Sequence, residues 1–240
     1  MLRAILLGSI GVLAETSELQ RRAYNQALAE AGVSWEWDEE TYAELLEMAG
    51  GRDRLALLGR ATGQPFSDAQ IAAIHTRKTE LACAAVRAQA SLRPGIATLV
   101  QFAKARGIAL GLVTSTYAPN VEAILDAAGD ALSAPDFAVI VTRDDIAQGK
   151  PAPDAYLKAL GSLGLAPEEA LAIEDTASSI ASARRAGLNV VATPGAYTAD
   201  QDFHEADLVM PSLEAGASGL DARFLAMIGD QPQVQLHLVQ

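Results

Sequence analysis

The sequence predicts a doubly wound α/β fold, in which helices cover both faces of a parallel sheet. Short continuous apolar runs alternate with longer stretches of helical periodicity, a pattern typical of buried parallel strands joined by crossover helices. Gly107, Gly164 and Gly187 each close a helical stretch just before an apolar run, where a C-cap glycine is expected. A block of helical patterns interrupts this rhythm after the first strand and indicates an inserted domain.

The core elements follow one another in a regular order along the chain. The predicted strands are residues 4–7, 109–113, 137–141, 170–173, 190–192 and 208–210. The helices predicted between the second and the last of these strands are residues 120–128, 152–163 and 178–186. Residues 1–15 and 91–220 are therefore expected to form the α/β core, and residues 221–240 a C-terminal helix or tail.

Residues 16–90 hold no convincing strand and several amphipathic helical patterns. The helices predicted there are residues 18–31, 39–48, 53–62 and 68–88. Asp38 and Asp68 are suited to cap the second and the fourth of these helices. This block predicts a helical cap domain above the carboxyl ends of the core strands, which is where open α/β sheets bind ligands. Residues 91–95 would form the return hinge.

Composition and charge exclude several classes of function. The chain has 240 residues, 50% of them hydrophobic, and carries 30 acidic against 18 basic residues, for a formal net charge of -12. That balance argues against nucleic-acid binding and against polybasic membrane attachment. Cys83 is the single cysteine, which excludes an intrachain disulfide and a multi-thiolate zinc site and favours a reducing compartment. No apolar run reaches the roughly 18 residues of a membrane span, so we expect a cytoplasmic protein.

Four segments at the predicted strand ends carry most of the chemical information. They are residues 8–16, 113–116, 149–154 and 173–176. Their order and spacing resemble the haloacid dehalogenase superfamily of phosphotransferases. The resemblance covers about residues 2–213 and is strongest to the CbbY-like and β-phosphoglucomutase-like sugar-phosphate enzymes. Residues 50–54, 75–79 and 92–95 match as well, and the ordered set is far more specific than any one segment.

The resemblance implies phosphoryl transfer to an aspartate, assisted by Mg²⁺ and by donors to the phosphoryl oxygens. It assigns phosphate binding to Thr114, Ser115 and Lys150. It assigns Mg²⁺, an ion that prefers oxygen ligands, to Glu174 and Asp175. Simpler roles stay open for these residues: a strand-end turn, a solvated loop lysine, and acidic residues at a helix N-terminus.

The resemblance also assigns substrate contacts to the cap and the return hinge. The residues concerned are Arg52, His75, Lys78 and Arg93. His75 and Lys78 lie one helical turn apart and would equally fit an ordinary helix surface. Arg52 and Arg93 could instead balance the surplus of acidic charge.

The first motif departs from the family pattern, hydrophobic-Asp-X-Asp-Gly-Thr-Leu. Gly8 stands where the nucleophilic aspartate belongs, and Ile10 where the aspartate that acts as general acid and base belongs. Ser9 is expected to point away from the face shared by its two neighbours, because side chains alternate along a strand. Glycine offers no carboxylate to phosphorus or to Mg²⁺ and isoleucine moves no proton, so the metal site is expected to be weak.

The sequence therefore predicts a pseudoenzyme of this superfamily, which lacks phosphatase activity and keeps the ability to bind inorganic phosphate or a small phosphorylated metabolite. One alternative is a working Mg²⁺-dependent phosphohydrolase or phosphomutase that uses another carboxylate. A second alternative is an interaction module whose groove is empty. Turnover of a phosphate ester separates the first alternative from the others, and phosphate binding separates the second.

Overall fold

Six parallel strands form one sheet in the computed structural model, which describes residues 1–48, 50–214 and 219–229. The strands are β1 (Ala4–Leu7), β2 (Ala109–Val113), β3 (Val139–Val141), β4 (Ala170–Glu174), β5 (Asn189–Ala192) and β6 (Leu208–Val209). Their order across the sheet is β3-β2-β1-β4-β5-β6, and every neighbouring pair is parallel. The predicted doubly wound α/β fold is confirmed.

The described α-helices lie before, between and after these strands. They are α1 (Ser17–Glu30), α2 (Glu39–Leu45), α3 (Gly51–Ala61), α4 (Asp68–Gln89), α5 (Ile96–Arg106), α6 (Ala118–Ala128), α7 (Asp154–Leu163), α8 (Ala177–Arg185) and α9 (Ala222–Met227). Helix α5 was given no range from the sequence, but Gly107, expected to close a helical stretch, is its C-cap. Helix α9 lies in the predicted C-terminal helix or tail, of which residues 230–240 are outside the described part. Within the described residues of the whole chain, no helix is both long enough and apolar enough to cross a membrane.

The sheet is buried on both faces, as its continuous apolar strands require. Strand β1 illustrates the alternation: Ile5 and Leu7 belong to one hydrophobic cluster, and Ala4 and Leu6 to another. The first cluster includes side chains of α5, α6 and α9, and the second includes side chains of α7 and α8. The two clusters hold β1 at the centre of the sheet.

Helices α1 to α4 follow β1 and share a hydrophobic cluster of their own. Its centre is aromatic: Tyr24 and Trp37 meet edge to face, with ring centroids 4.9 Å apart. Helix α4 also contributes Cys83 and Val86 to the first core cluster, so it joins the helical block to the sheet. The packing of α4 against the first core cluster therefore fixes the position of the helical block relative to the strand ends.

The helix caps explain where two of these helices begin. Asp38 caps α2 as predicted, and its carboxylate accepts a hydrogen bond from the Thr41 N–H at 2.8 Å. The prediction for Asp68 is wrong, because Ser67 caps α4 in a capping box with Gln70. Ser67 has an extended backbone, whereas Asp68 is the first helical residue, where its charge favours the helix N-terminus.

The strand order reverses at β1, which places three of the motifs side by side. Leu7 pairs with Leu112 of β2 on one side and with Ile173 of β4 on the other. The first, second and fourth motifs therefore leave the sheet at the same edge and at nearly the same level. Ligands of open α/β sheets bind at such a switch point.

Candidate functional site

A cavity of about 360 Å³ lies between the helical block and the carboxyl ends of the strands. The predicted site residues that line it are Ile10, Arg52, His75, Lys78, Thr114, Ser115, Lys150, Glu174 and Asp175. Gly8 and Arg93 are not lining residues. Its volume falls within the range of small-ligand pockets.

The cavity wall is richer in cations than in anions, although the whole chain is strongly acidic. The cationic lining residues are Arg52, Arg54, Lys78, Arg143 and Lys150. The carboxylates of the wall are Asp53, Glu174 and Asp175. A cleft with a surplus of one sign of charge concentrates ligands of the opposite sign. The charge of this cleft is therefore suited to an anionic small molecule.

Lys150 is tied into a buried cluster with Glu174 and Tyr156. Its ammonium group donates to Oε1 of Glu174 and to the Val113 carbonyl oxygen, the latter at 3.1 Å, and the Tyr156 hydroxyl donates to the same Oε1. The Lys150 and Glu174 side chains are only 5% and 2% exposed. Burial, followed by the charge of Glu174, raises the pKa of Tyr156 well above its usual value. The lysine assigned to phosphate therefore already has an anionic partner.

The second oxygen of Glu174 occupies the space above Gly8. A Cβ atom added to Gly8 would lie 2.5 Å from Oε2 of Glu174 and 2.8 Å from Cγ2 of Val12. Both separations are shorter than van der Waals contact. With glycine at position 8, the first motif lacks a carboxylate there. The side chain of Glu174, in the fourth motif, fills the space that is left.

Asp175 packs against Gly11, the glycine of the first motif. Gly11 has φ +76°, and a Cβ atom there would overlap the Asp175 carboxylate. Burial, followed by the nearby charge of Glu174, raises the pKa of Asp175 well above its ordinary value. Two neighbouring carboxylates in a buried site resist ionising together.

These donors do not fit a resident Mg²⁺ ion. The described residues contain no group of three or more His, Cys, Asp or Glu side chains that could hold a metal. One oxygen of Glu174 is bound by Lys150 and Tyr156, and position 8 supplies no ligand. The assignment of Glu174 and Asp175 to Mg²⁺ stays a prediction, and no chemical step below depends on it.

Hydroxyl groups gather at the end of β2. Oγ of Ser9 and Oγ1 of Thr114 are hydrogen-bonded at 2.8 Å, and Thr114 also accepts from the Thr116 N–H. Oγ of Ser115 accepts from the Lys150 N–H at 3.0 Å. The expectation that Ser9 points away is wrong, because β1 ends at Leu7, so the strand alternation does not reach Ser9. With a hydroxyl as its partner and no base, Ser9 remains a weak nucleophile.

His75 and Lys78 are both buried and face the cavity rather than bulk solvent. Burial, followed by the charge of Lys78, lowers the pKa of His75 to about 4, so the imidazole is neutral near pH 7. The His75 ring meets Tyr117 edge to face at 5.5 Å between centroids. The reading of the pair as an ordinary helix surface is therefore wrong.

Arg52 forms fewer interactions than the other basic side chains of the cavity wall. It lies in the first turn of α3, and its guanidinium carbon is 5.9 Å from the centre of the Tyr117 ring. Within the described part of the chain it forms no hydrogen bond or ion pair. The group is therefore available to an incoming anion.

Arg93 has a different environment from the one expected of a substrate contact. Its guanidinium donates to the carbonyl oxygens of Gly11, Thr193, Pro194 and Pro211. These four carbonyls belong to the loops after β1, β5 and β6. Arg93 therefore holds strand-end loops together behind the cavity, and it does not line the cavity.

Sequence reasoning missed several lining residues. Arg143 is the second residue after β3 and lines the cavity. Its position just after a strand end could have identified it as a candidate site residue. Ser178 lies in the first turn of α8, and its hydroxyl is buried without a hydrogen-bond partner in the described part of the chain. Gln20 and Tyr24 come from α1, and nothing in the sequence distinguishes them from other polar residues of an amphipathic helix.

The parallel sheet, the helical insertion and the four strand-end motifs define a haloacid dehalogenase-like hydrolase fold. The family model for haloacid dehalogenase-like hydrolases matches residues 2–187. The chain belongs to this family, and the resemblance stated from the motifs is confirmed.

CbbY proteins are among the relatives that the chain resembles. The chain is 43% identical over 218 residues to Protein CbbY of Rhodobacter capsulatus. The alignment covers 90% of this chain and 96% of the relative. The chain superposes with a TM-score of 0.83 on the crystal structure of CbbY from Rhodobacter sphaeroides in complex with phosphate. The two sequences are 42% identical, and the match covers 88% of this chain and 95% of that one. A mutant of that protein, with the same similarity and coverage, was crystallised in complex with xylulose-(1,5)bisphosphate.

Proposed function

We propose that this protein binds a small phosphorylated sugar between the sheet and the helical block and does not hydrolyse it. The observation that carries the proposal is a wall with five basic side chains and no carboxylate at positions 8 and 10. CbbY structures with phosphate and with a sugar bisphosphate support this class of ligand. The cavity is large enough for a ligand of that size.

The chemistry of the first motif argues against turnover. Attack on phosphorus needs a nucleophile, and protonation of the leaving alcohol needs an acid. Gly8 and Ile10 supply neither, and the Ser9 hydroxyl has no base beside it. Phosphate esters hydrolyse extremely slowly without such groups, so a bound ligand stays intact.

We expect the phosphate to contact the donors of the wall that have no hydrogen-bond partner in the described residues. Three acceptors of the protein match the three N–H donors of the Lys150 ammonium group: the Val113 carbonyl oxygen, the Tyr156 hydroxyl and Oε1 of Glu174. Lys150 therefore holds Glu174 in place more than it donates to a ligand. The Arg52 guanidinium and the Ser178 hydroxyl have no competing partner in the described residues, and guanidinium groups suit phosphate geometry.

One observation favours a second candidate, a phosphohydrolase that uses another carboxylate. Oε2 of Glu174 lies where a side chain at position 8 would begin. Attack by Oε2 on phosphorus would break the bond to the ester oxygen, form an acyl phosphate and release an alkoxide that takes a proton from water; a second water would then hydrolyse the acyl phosphate. Turnover that is lost in Glu174→Gln would establish this candidate in place of the binding protein.

Calorimetric titration with glycerol 3-phosphate in EDTA tests the proposal. We expect measurable binding by the wild type and at least about tenfold weaker binding by Arg52→Gln, which loses a charge-assisted contact. Arg60→Gln is the matched control, because Arg60 is exposed on the same helix and does not line the cavity. Absence of binding by the wild type would leave the interaction module as the better explanation.

A further inference from the structure

Lys78 is a buried amine whose contacts in the described residues include no carboxylate. Its ammonium group donates to Oε1 of Gln20 and lies 4.4 Å from the centre of the Tyr24 ring. Among the described residues, no Asp or Glu forms an ion pair with Lys78, although the chain is acidic. Buried lysines are normally paired, so this arrangement is costly for the folded protein.

Lys150 provides the contrast within the same cavity wall. Both lysines are buried, with 7% of Lys78 and 6% of Lys150 exposed. Lys150 is paired with the carboxylate of Glu174, whereas Lys78 faces a neutral amide and an aromatic ring. Burial, followed by the charge of Arg54, lowers the pKa of Lys78 to about 7. A large share of Lys78 is therefore the neutral amine at physiological pH.

We propose that Lys78 captures the carbonyl group of an open-chain sugar phosphate as an imine. This inference rests on the proposed function, since the phosphate groups must first bring the ligand into the cavity. It narrows the ligand to acyclic ketose or aldose phosphates with a free ketone or aldehyde. Desolvated lysines beside other cations are the ones that react with carbonyl compounds.

The reaction balances without any further reagent. The lone pair of Nζ attacks the carbonyl carbon, the C–N bond forms, and the carbonyl oxygen takes up a proton to give a carbinolamine. Loss of the hydroxyl group with one proton from nitrogen releases water and leaves the C=N bond. Water reverses the step, so the ligand is held and not consumed.

Reductive trapping in the wild-type protein tests this inference. The protein is incubated at pH 7.5 with dihydroxyacetone phosphate and sodium cyanoborohydride, and the modified lysines are mapped by peptide mass spectrometry. The other lysines of the chain are Lys104, Lys150 and Lys158. We expect Lys78 to be labelled at least about tenfold more than exposed Lys104 and Lys158, because ordinary lysines are almost fully protonated at this pH.

Two controls separate the inference from the proposed function. Glycerol 3-phosphate has no carbonyl, so it should compete with the label without forming an adduct. Lys78→Arg keeps a basic side chain that cannot form an imine, so it should lose the adduct, and Lys158→Arg should leave labelling of Lys78 unchanged. Equal labelling of Lys78 and Lys158, or no adduct while glycerol 3-phosphate binds, would overturn the inference alone. Failure of both phosphates to bind would overturn the proposed function with it.

Discussion

Position 8 shows how one residue changes the chemistry of the whole cleft. A glycine there removes a carboxylate, and Oε2 of Glu174 lies in the space above it. Lys150 and Tyr156 hold the other oxygen of the same carboxylate. The first and fourth motifs are thus coupled through sterics as well as charge, and restoring an aspartate at position 8 requires Glu174 to move.

Gly8→Ala should destabilise the fold. The added methyl group would meet Oε2 of Glu174 and Cγ2 of Val12, and overpacking of this kind costs about 1–3 kcal/mol. Urea unfolding measures the change. Gly161→Ala is the control, since nothing lies within 4 Å of a Cβ atom in that helix position, and it should be neutral or stabilising. If Gly8→Ala unfolded at the same urea concentration as the wild type, the close packing around position 8 would be contradicted.

His75 should make the protein sensitive to mild acid. Its pKa is lowered from 6.5 to about 4, so between these pH values the unfolded chain holds a proton that the folded chain lacks. The free energy of unfolding should therefore fall as pH drops through this range, by up to about 3 kcal/mol.

Urea midpoints between pH 7 and pH 4 measure this dependence. His75→Gln should lose less stability over that range than the wild type. His204→Gln, at an exposed histidine, should keep the wild-type profile. Identical profiles for all three proteins would show that His75 titrates normally in the fold.

At the scale of the element, the return hinge is the least obvious feature of the fold. Arg93 follows the helical insertion and binds four carbonyl oxygens of the loops after β1, β5 and β6. Its fork of donors serves several acceptors at once, which a lysine ammonium cannot reproduce. Arg93, in the segment between α4 and α5, therefore ties the loop of the first motif to the loops after β5 and β6.

Arg93→Lys should lower the free energy of unfolding by about 1–2 kcal/mol, since partly buried carbonyl groups lose their donors. Affinity for glycerol 3-phosphate should stay within about twofold of the wild type, because Arg93 does not line the cavity. Thermal melts and calorimetry give the two values. A large loss of affinity at unchanged stability would return Arg93 to the role of a substrate contact.

The strands were predictable from sequence because buried parallel strands are continuously apolar and end at glycine or polar residues. Observed and predicted strand limits differ by two residues at most, as in β3. Helix α5 and the cap of α4 were missed or misplaced, since Ser67 and Asp68 are both good caps and only backbone geometry separates them. The contacts of Lys150 and Arg93 join segments far apart in sequence, and no local pattern encodes them.

At the scale of the whole molecule, the acidic chain concentrates positive charge at the switch point of its sheet. The sequence predicted that this edge would be the site, and the family resemblance named most of its lining residues. It could not predict that Glu174 would be neutralised by Lys150, because that depends on the side-chain packing around Tyr156.

Mg²⁺ should have little effect on the folded protein. A ligand stabilises the native state by RT ln(1 + [L]/Kd), about 2.7 kcal/mol at a hundredfold excess over Kd. Since Glu174 is already paired and position 8 offers no ligand, the melting temperature in millimolar Mg²⁺ should match that in EDTA. A rise of several degrees that Asp175→Asn abolishes would establish a working metal site.

A phosphate ester that binds and stays intact can be followed by ³¹P NMR, which tests both properties in one sample. Glycerol 3-phosphate is followed with the protein for a day, with and without Mg²⁺. We expect its resonance to broaden or shift with added protein, less so with Arg52→Gln, and no signal of inorganic phosphate above the protein-free sample. Steady growth of the inorganic phosphate signal, or a resonance unaffected by the protein, would contradict the account.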